Sequence, residues 1–207
     1  MKKQTLEHFL DTLASSAPTP GGGAVAGLTG ALSAALSSMV ASLGLESAKY
    51  ADNLEANKAT VADARQLIDE NFGFMTADAQ AFDGFMAALK MPKNTEEEKA
   101  LRKERLQEAT KEAIVAPMQT MRAAARLSKL AYEAADKGNK GAITDAAIAA
   151  HLALVTAQSA SYNVLINLKT LKDEDYAQKC LDEMSQVMDL CREYLDKTDA
   201  LTREALA

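Results

Sequence analysis

Between Asp11 and Glu46 the chain has no charged residue, and a second such segment runs from Ala146 to Leu168. Two apolar stretches of this length must be hidden from water, inside a protein core or in a bilayer. The first contains Thr29, Ser33, Ser37, Ser38 and Ser42, and neither a Lys/Arg cluster nor an aromatic belt flanks it. Such side chains dilute a membrane signal. The expectation is a buried helix and no membrane partner. Small residues recur along it at every fourth position, Ala26, Gly30, Ala34, Ser38 and Ser42, a strip that lets another backbone come close. Two helices this apolar are hard to hide in one small subunit, so the strip is expected to meet a second copy in a homodimer.

Punctuation between the segments is sparse. Only 10 Gly and 4 Pro occur in 207 residues, so turns are few and elements long. Thr5 caps a short first helix with Leu6, Phe9, Leu10 and Leu13 on one face. A long helix spans about Asp52 to Lys90, and Thr95 with Glu98 forms a capping box for the next, which Pro117 should kink or interrupt. "DKGNKG" (136–141) closes that arm, and Asp173 opens a last amphipathic helix. The expected fold is all-α: one helical domain over residues 1–207, built around the two uncharged helices. A net charge of −6 argues against nucleic acid as a partner. Cys180 and Cys191 share one helix and stand about 16 Å apart, too far to bridge. Free thiols, and an opening "MKKQTLEHFLD" without an apolar leader, fit a cytoplasmic location.

The long third helix holds the most informative residue. Leu54, Val61, Ile68, Met75, Phe82 and Leu89 recur every seven positions and are expected to form its buried seam. The companion row, three residues on, contains Asn57, Ala64, Asn71, Asp78 and Phe85. Glu55, Asp63, Asp69, Glu70 and Asp83 project toward solvent, whereas Asp78 sits on the seam among Phe74, Met75, Phe82 and Phe85. A carboxylate in apolar surroundings is either paired or has a raised pKa. A structural Asp tied to a neighbouring helix and an acid–base catalyst both fit that position.

"FLDTLASSAPTPGGGAVAG", "ADAQAF", "MPKNTEEEK", the Gly138–Asn139 pair and "NVLINL" (163–168) occur in this order. In these motifs and their spacing the sequence resembles the cyclodeaminase/cyclohydrolase family. That family comprises the cyclodeaminase domain of formiminotransferase-cyclodeaminase and free-standing bacterial methenyltetrahydrofolate cyclohydrolases. The resemblance covers nearly the whole chain, weakening after about Asp175. It implies an all-helical homodimer acting on one-carbon tetrahydrofolates, with the catalytic aspartate of "ADAQAF" falling on Asp78. The family often has another acid one or two positions earlier, where this chain has Thr76 and Ala77. The formimino-transferring domain of the bifunctional enzyme has no counterpart here.

The glycine triplet Gly21, Gly22 and Gly23 follows no strand and precedes no Lys–Ser/Thr, so neither a dinucleotide fingerprint nor a phosphate loop fits. A tight turn for helix packing and a loop presenting backbone N–H groups to a ligand both remain; the resemblance favours a loop touching the folate. Asn163 and Asn167, one helical turn apart, read either as a buried amide pair or as partners of the pterin edge. Lys93 and Asn94 precede a basic run, Lys99, Arg102, Lys103 and Arg105, which is a solvated face or a dock for a polyglutamate tail. His151, between alanine and leucine, reads as a core or interface histidine. With only His8 and His151 there is no metal constellation and no Ser–His–Asp or Cys–His site.

The resulting expectation is hydrolysis of 5,10-methenyltetrahydrofolate to the 10-formyl form with Asp78 as base, and no cofactor beyond the tetrahydrofolate substrate. The alternative activity is cyclodeamination of 5-formiminotetrahydrofolate. A silent helical dimerisation module is the alternative of another class.

Overall fold

A computed structural model describes residues 3–207; the first two residues of the segment read for a leader lie outside it. Six α-helices carry the chain: α1 (Leu6–Leu13), α2 (Gly22–Leu45), α3 (Leu54–Leu89), α4 (Glu96–Lys137), α5 (Ile143–Leu168) and α6 (Glu174–Leu206). No strand occurs among the described residues. Side chains set the helix starts. Thr5 accepts from the His8 N–H at 3.2 Å, Thr95 and Glu98 exchange both bonds of a capping box, and Asp173 accepts from the Tyr176 N–H at 2.9 Å.

Helices α2 to α5 run up and down as an antiparallel bundle, with α6 laid over α4 and α5. The axis of the assembly is α2, which packs on α3, α4 and α5. Its length and mean hydropathy of 1.6 would suffice to cross a membrane, yet 56% of that stretch is buried within the protein. Its hydroxyls are consumed inside: Thr29 meets Thr156 at 2.9 Å, and Ser33 donates to the Ala149 carbonyl at 2.8 Å. These bonds fasten α2 to α5 without leaving polar atoms unpaired.

The small-residue strip does a different job from the one expected. Ala26 joins a core with Ile114, Met118, Met121, Ala157 and Val164, and Ala34 one with Ala64, Leu67, Leu127 and Ala153. Gly30 faces Asn71. Packing within one subunit therefore covers most of the strip, which corrects its assignment to a contact between copies.

Against α3 the glycine contacts fall at multiples of seven residues on both helices. Gly44 lies against Asn57, Gly30 against Asn71, and Gly23 against Asp78, in antiparallel register. A Cβ on Gly44 would stand 2.7 Å from Asn57 Nδ2; on Gly30 or Gly23 it would fall inside the Asn71 amide or the Asp78 carboxyl group. No glycine among the described residues has a positive φ, so close approach explains these three.

That packing rotates α3 away from the expected seam. Asn57, Thr60, Ala64, Leu67, Asn71, Met75 and Ala88 are its buried residues, while Leu54 and Leu89 are 41% and 38% exposed. Short side chains occupy the line of closest approach, and the larger apolar ones flank it. Other expectations shift as well. On α1 only Phe9 is buried, and Leu6 and Leu10 face outward. Pro117 does not interrupt α4, which runs unbroken from Glu96 to Lys137. His151 lies on the outside of α5 with Nε2 3.5 Å from Asp199, and is not a core residue. Cys180 and Cys191 are buried free thiols.

The three-rung contact makes a signed prediction. Gly44→Leu should destabilise by about 1–3 kcal/mol or more, because no space exists beside Asn57. Gly73, on α3, has nothing within 4 Å of a built Cβ, so Gly73→Ala should stabilise by about 0.5–1 kcal/mol. Chemical denaturation of both variants checks the two signs together.

Candidate active site

At the end of the bundle where α2 begins, the chain leaves a cleft of about 300 Å³. Its walls come from four places: the turn before α2 (Pro18, Thr19, Gly21, Gly22, Gly23), α3 (Asp78, Ala81, Phe82, Phe85), Ala113 of α4, and α5 (Asn163, Ile166, Asn167). The structure thus brings together Asp78, the glycine triplet and both asparagines. Lys93 and Asn94 are not among its walls. They sit exposed in the loop between α3 and α4, where the Asn94 N–H donates to Glu98 at 2.7 Å.

Asp78 is the acid of this cleft, and it is half-buried. Burial raises its pKa from the ordinary carboxylate value, because the charged form loses hydration. The first turn of α2 stands beside it. Gly21 is the N-cap and supplies no side chain to satisfy the following N–H groups. These free donors and the positive end of the helix favour an anion there, so the carboxylate can ionise and still hold a proton more firmly than an exposed one.

The two asparagines present acceptors. Asn163 Nδ2 donates to the Ser159 carbonyl at 2.9 Å, and Asn167 Nδ2 to the Asn163 carbonyl at 2.8 Å. With one N–H of each amide engaged on α5, their Oδ1 atoms remain for a ligand edge rich in donors. Asn167 Nδ2 also reaches the Ala113 carbonyl at 3.4 Å. That carbonyl stands four residues before Pro117, which has no N–H to give it. The proline therefore leaves an unsatisfied helix carbonyl at the cleft, and Asn167 supplies its partner.

Phe82 and Phe85 were legible only as neighbours of Asp78; here they are walls, spaced to line one side with aromatic carbon. Ala113 and Ile166 carried no sequence signal. The basic run of α4 is largely engaged: Lys99 with Glu96 at 2.6 Å, Arg105 with Glu108 and Glu112, and Arg102 with the Leu89 carbonyl at 3.0 Å. The Lys172 ammonium has its pKa lowered by a side-chain hydrogen-bond contact with Lys103 and then by that neighbour's positive charge. A larger cleft of about 440 Å³ lies between α3 and α4, lined by Asp63, Arg126, Lys129 and Glu133 around an apolar floor. Its Arg126 is bound to Glu70 at 2.6 Å, and it holds none of the predicted residues. No group of three His, Cys, Asp or Glu among the described residues is placed to hold a metal ion.

Known proteins resemble this chain in sequence and fold. The methenyltetrahydrofolate cyclohydrolase of Methylorubrum extorquens is 41% identical over 89% of this chain and 89% of its own length. The formimidoyltransferase-cyclodeaminase of Rattus norvegicus is 31% identical over 89% of this chain, which spans only 34% of that longer protein. A crystal structure of formiminotetrahydrofolate cyclodeaminase from Thermotoga maritima superposes with a TM-score of 0.90 at 29% identity, covering 100% of this chain and 99% of that one. Residues 5–186 match the family described as formiminotransferase-cyclodeaminase, and the chain belongs to that family.

Proposed function

We propose that this protein is a methenyltetrahydrofolate cyclohydrolase, converting 5,10-methenyltetrahydrofolate and water to 10-formyltetrahydrofolate. The observation that carries the reading is Asp78, the carboxylate of a cleft walled by aromatic carbon and by two asparagine acceptors. The kinship with the Methylorubrum enzyme over most of both chains points to the same substrate.

The chemistry needs one group that takes a proton and returns it. Ionised Asp78 attracts the amidinium cation of the substrate and accepts a proton from water as the oxygen attacks the bridging carbon. It gives that proton to N5 as the carbon–N5 bond breaks. The remaining hydroxyl proton leaves for solvent as the formyl carbonyl forms, so one proton is released per turnover. A raised pKa suits this double duty, because a group that holds a proton for part of the cycle works best near the operating pH. The Oδ1 atoms of Asn163 and Asn167 accept from the N–H groups of the pterin, and the free N–H groups at Gly22 and Gly23 lie beside the reacting end. The reaction draws on no cofactor beyond the folate itself and takes place in the cytoplasm.

A second reading follows from the Thermotoga likeness. In cyclodeamination of 5-formiminotetrahydrofolate, N10 attacks the same carbon of the protonated formimino group, Asp78 takes the N10 proton and passes it to the formimino nitrogen, and ammonia leaves as the methenyl cation forms. Ammonia release with the formimino substrate, against loss of the methenyl chromophore with the other, separates the two activities.

Assembly is the next part of the proposal. Leu32, Met39 and Leu43 of α2 and Ile148, Val155, Tyr162 and Ile166 of α5 are exposed on two helices that pack together. This uncharged face offers nothing to a charged partner, and a second copy brings an identical apolar surface to it. Ile166 belongs both to this face and to the cleft wall. A polyglutamate tail leaving the cleft past Asn167 would meet Lys103 and Lys172, close to where Gln107 bonds the Thr170 carbonyl at 3.0 Å and accepts from the Lys172 N–H at 2.8 Å.

Four measurements test these statements. Asp78→Asn should lower turnover by about 10²–10⁴ with folate affinity little changed, while Asp83→Asn, exposed on the same helix, stays near wild type. The same variant has a stability signature. Because burial raises the Asp78 pKa, the folded state binds its proton more tightly than the unfolded chain. Stability from this group therefore falls as pH climbs from the unfolded pKa, about 3.9, through the higher folded value. Asp78→Asn should melt at or above wild type at neutral pH, and the advantage should vanish below about pH 3.9; the pH dependence reports burial of the carboxyl group, and the rate loss reports its part in the chemistry. Wild type should sediment as a dimer at micromolar concentration and Met39→Glu as a monomer; a monomeric wild type refutes the apolar-face dimer. Lys103→Glu should raise KM for a polyglutamylated folate and leave the monoglutamate value unchanged, and an equal effect on both would remove the tail from this site.

A further inference from the structure

Within the glycine triplet the three positions are not equivalent. A Cβ on Gly21 would stand 3.9 Å from the Pro18 carbonyl, and one on Gly22 3.7 Å from the Asn163 amide, both ordinary contacts. At Gly23 the added carbon would coincide with the carboxyl group of Asp78, overlapping Cγ and both oxygens. Only the third glycine is sterically obligatory.

A catalytic base is ordinarily aimed by a third group that hydrogen-bonds it. Asp78 has no such orienter. Among the described residues no side chain or backbone N–H hydrogen-bonds its carboxylate, and burial is the sole cause of its pKa shift. The equivalent residues on the other rungs are anchored differently. Asn71 Nδ2 donates to the Leu67 carbonyl at 2.8 Å, and Asn57 Nδ2 to the Lys137 carbonyl at 3.2 Å. An ionised carboxylate has no N–H with which to make either bond. What holds Asp78 over the start of α2 is therefore the space beside Gly23.

We propose that Gly23 is the positioning residue for Asp78: its missing side chain forms the hollow that seats the carboxylate and takes the place of the orienting hydrogen bond. The proposal rests on the reading of Asp78 as the base. Because a Cβ at Gly23 overlaps the whole carboxyl group, that group has to move bodily, and a misplacement of about 1 Å at a reacting centre costs about 10²-fold in rate.

The test is a double-variant cycle in kcat and KM with 5,10-methenyltetrahydrofolate, each value referred to the folded fraction measured by circular dichroism. The proteins are wild type, Gly23→Ala, Asp78→Asn, the double variant, and Gly30→Ala as the control in which the same overlap falls on Asn71. Gly23→Ala should lower kcat by about 10²-fold and move KM by less than about two-fold. The double variant should be no slower than Asp78→Asn alone, because the two changes remove one function. Gly30→Ala should lower the melting temperature with kcat near wild type. Rate losses that multiply in the double variant overturn the proposal. So does a wild-type kcat in Gly23→Ala, or a loss in Gly30→Ala as large as in Gly23→Ala. A Gly23→Ala chain that fails to fold makes the glycine a packing requirement and overturns it too. Asp78→Asn with undiminished turnover overturns instead the reading of Asp78 as base, and the inference about Gly23 with it.

Discussion

The contact between α2 and α3 sets the terms for everything else in this protein. Two helices come close enough for a glycine on one to receive the head of a polar side chain from the other, at Gly23, Gly30 and Gly44, spaced by seven and then fourteen residues. Seven residues bring an α-helix back to nearly the same face, so the rungs line up along a straight seam. A single substitution on a rung forces either the backbone or a buried amide to move, which is expensive in a packed interior. The register of α2 against α3 is therefore fixed by steric exclusion rather than by fit between large apolar surfaces. The cores on the other sides of α2 are rich in alanine for the same reason: once α3 is drawn in, α4 and α5 close around a slender axis.

The candidate cleft is where this seam meets the end of the bundle. Deep in the protein the rung residues are amides, and the Oδ1 atoms of Asn57 and Asn71 are buried without a partner, a cost of about 1–3 kcal/mol each. A carboxylate there would have been far more costly. One rung further, at Asp78, α2 is at its first turn and the side chain is only half-buried. The same packing rule that demands a short polar side chain now tolerates a charge, and the first turn of α2 faces it. The proposed base thus stands on the last rung of a structural ladder, at the wall of the cleft.

How much of this could be read from the sequence follows from the same geometry. The caps at Thr5, Thr95 and Asp173 were legible because capping is local chemistry. Asp78 was legible because an acid interrupting a row of Asn, Ala and Phe is conspicuous at seven-residue spacing. The seam itself was misread. Taking Leu54, Val61 and Ile68 as its centre assumes that the largest apolar side chains mark the closest contact, as in a coiled coil. Where the facing helix presents glycine, the centre belongs to Asn57, Ala64 and Asn71, and the large residues become flanks. The periodicity was right and the phase wrong, because phase depends on what α2 presents. Ala113 left no trace for a similar reason: its role comes from a carbonyl freed by Pro117 and met by Asn167 from another helix, a three-body arrangement that no local pattern encodes.

The seam also bears on how many acids the chemistry can use. Relatives with an acid one or two positions before the aspartate invite a mechanism with two carboxylates in one cleft. On an α-helix the position two residues earlier points about 160° away from Asp78, and the position one earlier about 100° away. Thr76 follows that rule: it is exposed and donates to the Phe72 carbonyl at 3.3 Å, and neither it nor Ala77 lines the cleft. An acid at either place would leave the same straight helix on another side and could not share a proton with Asp78 within this subunit. A chain with Thr76 and Ala77 has therefore lost no part of its own cleft. One carboxylate is what a single face of α3, pressed against glycine, has room to supply, and the mechanism proposed above asks for no more than one.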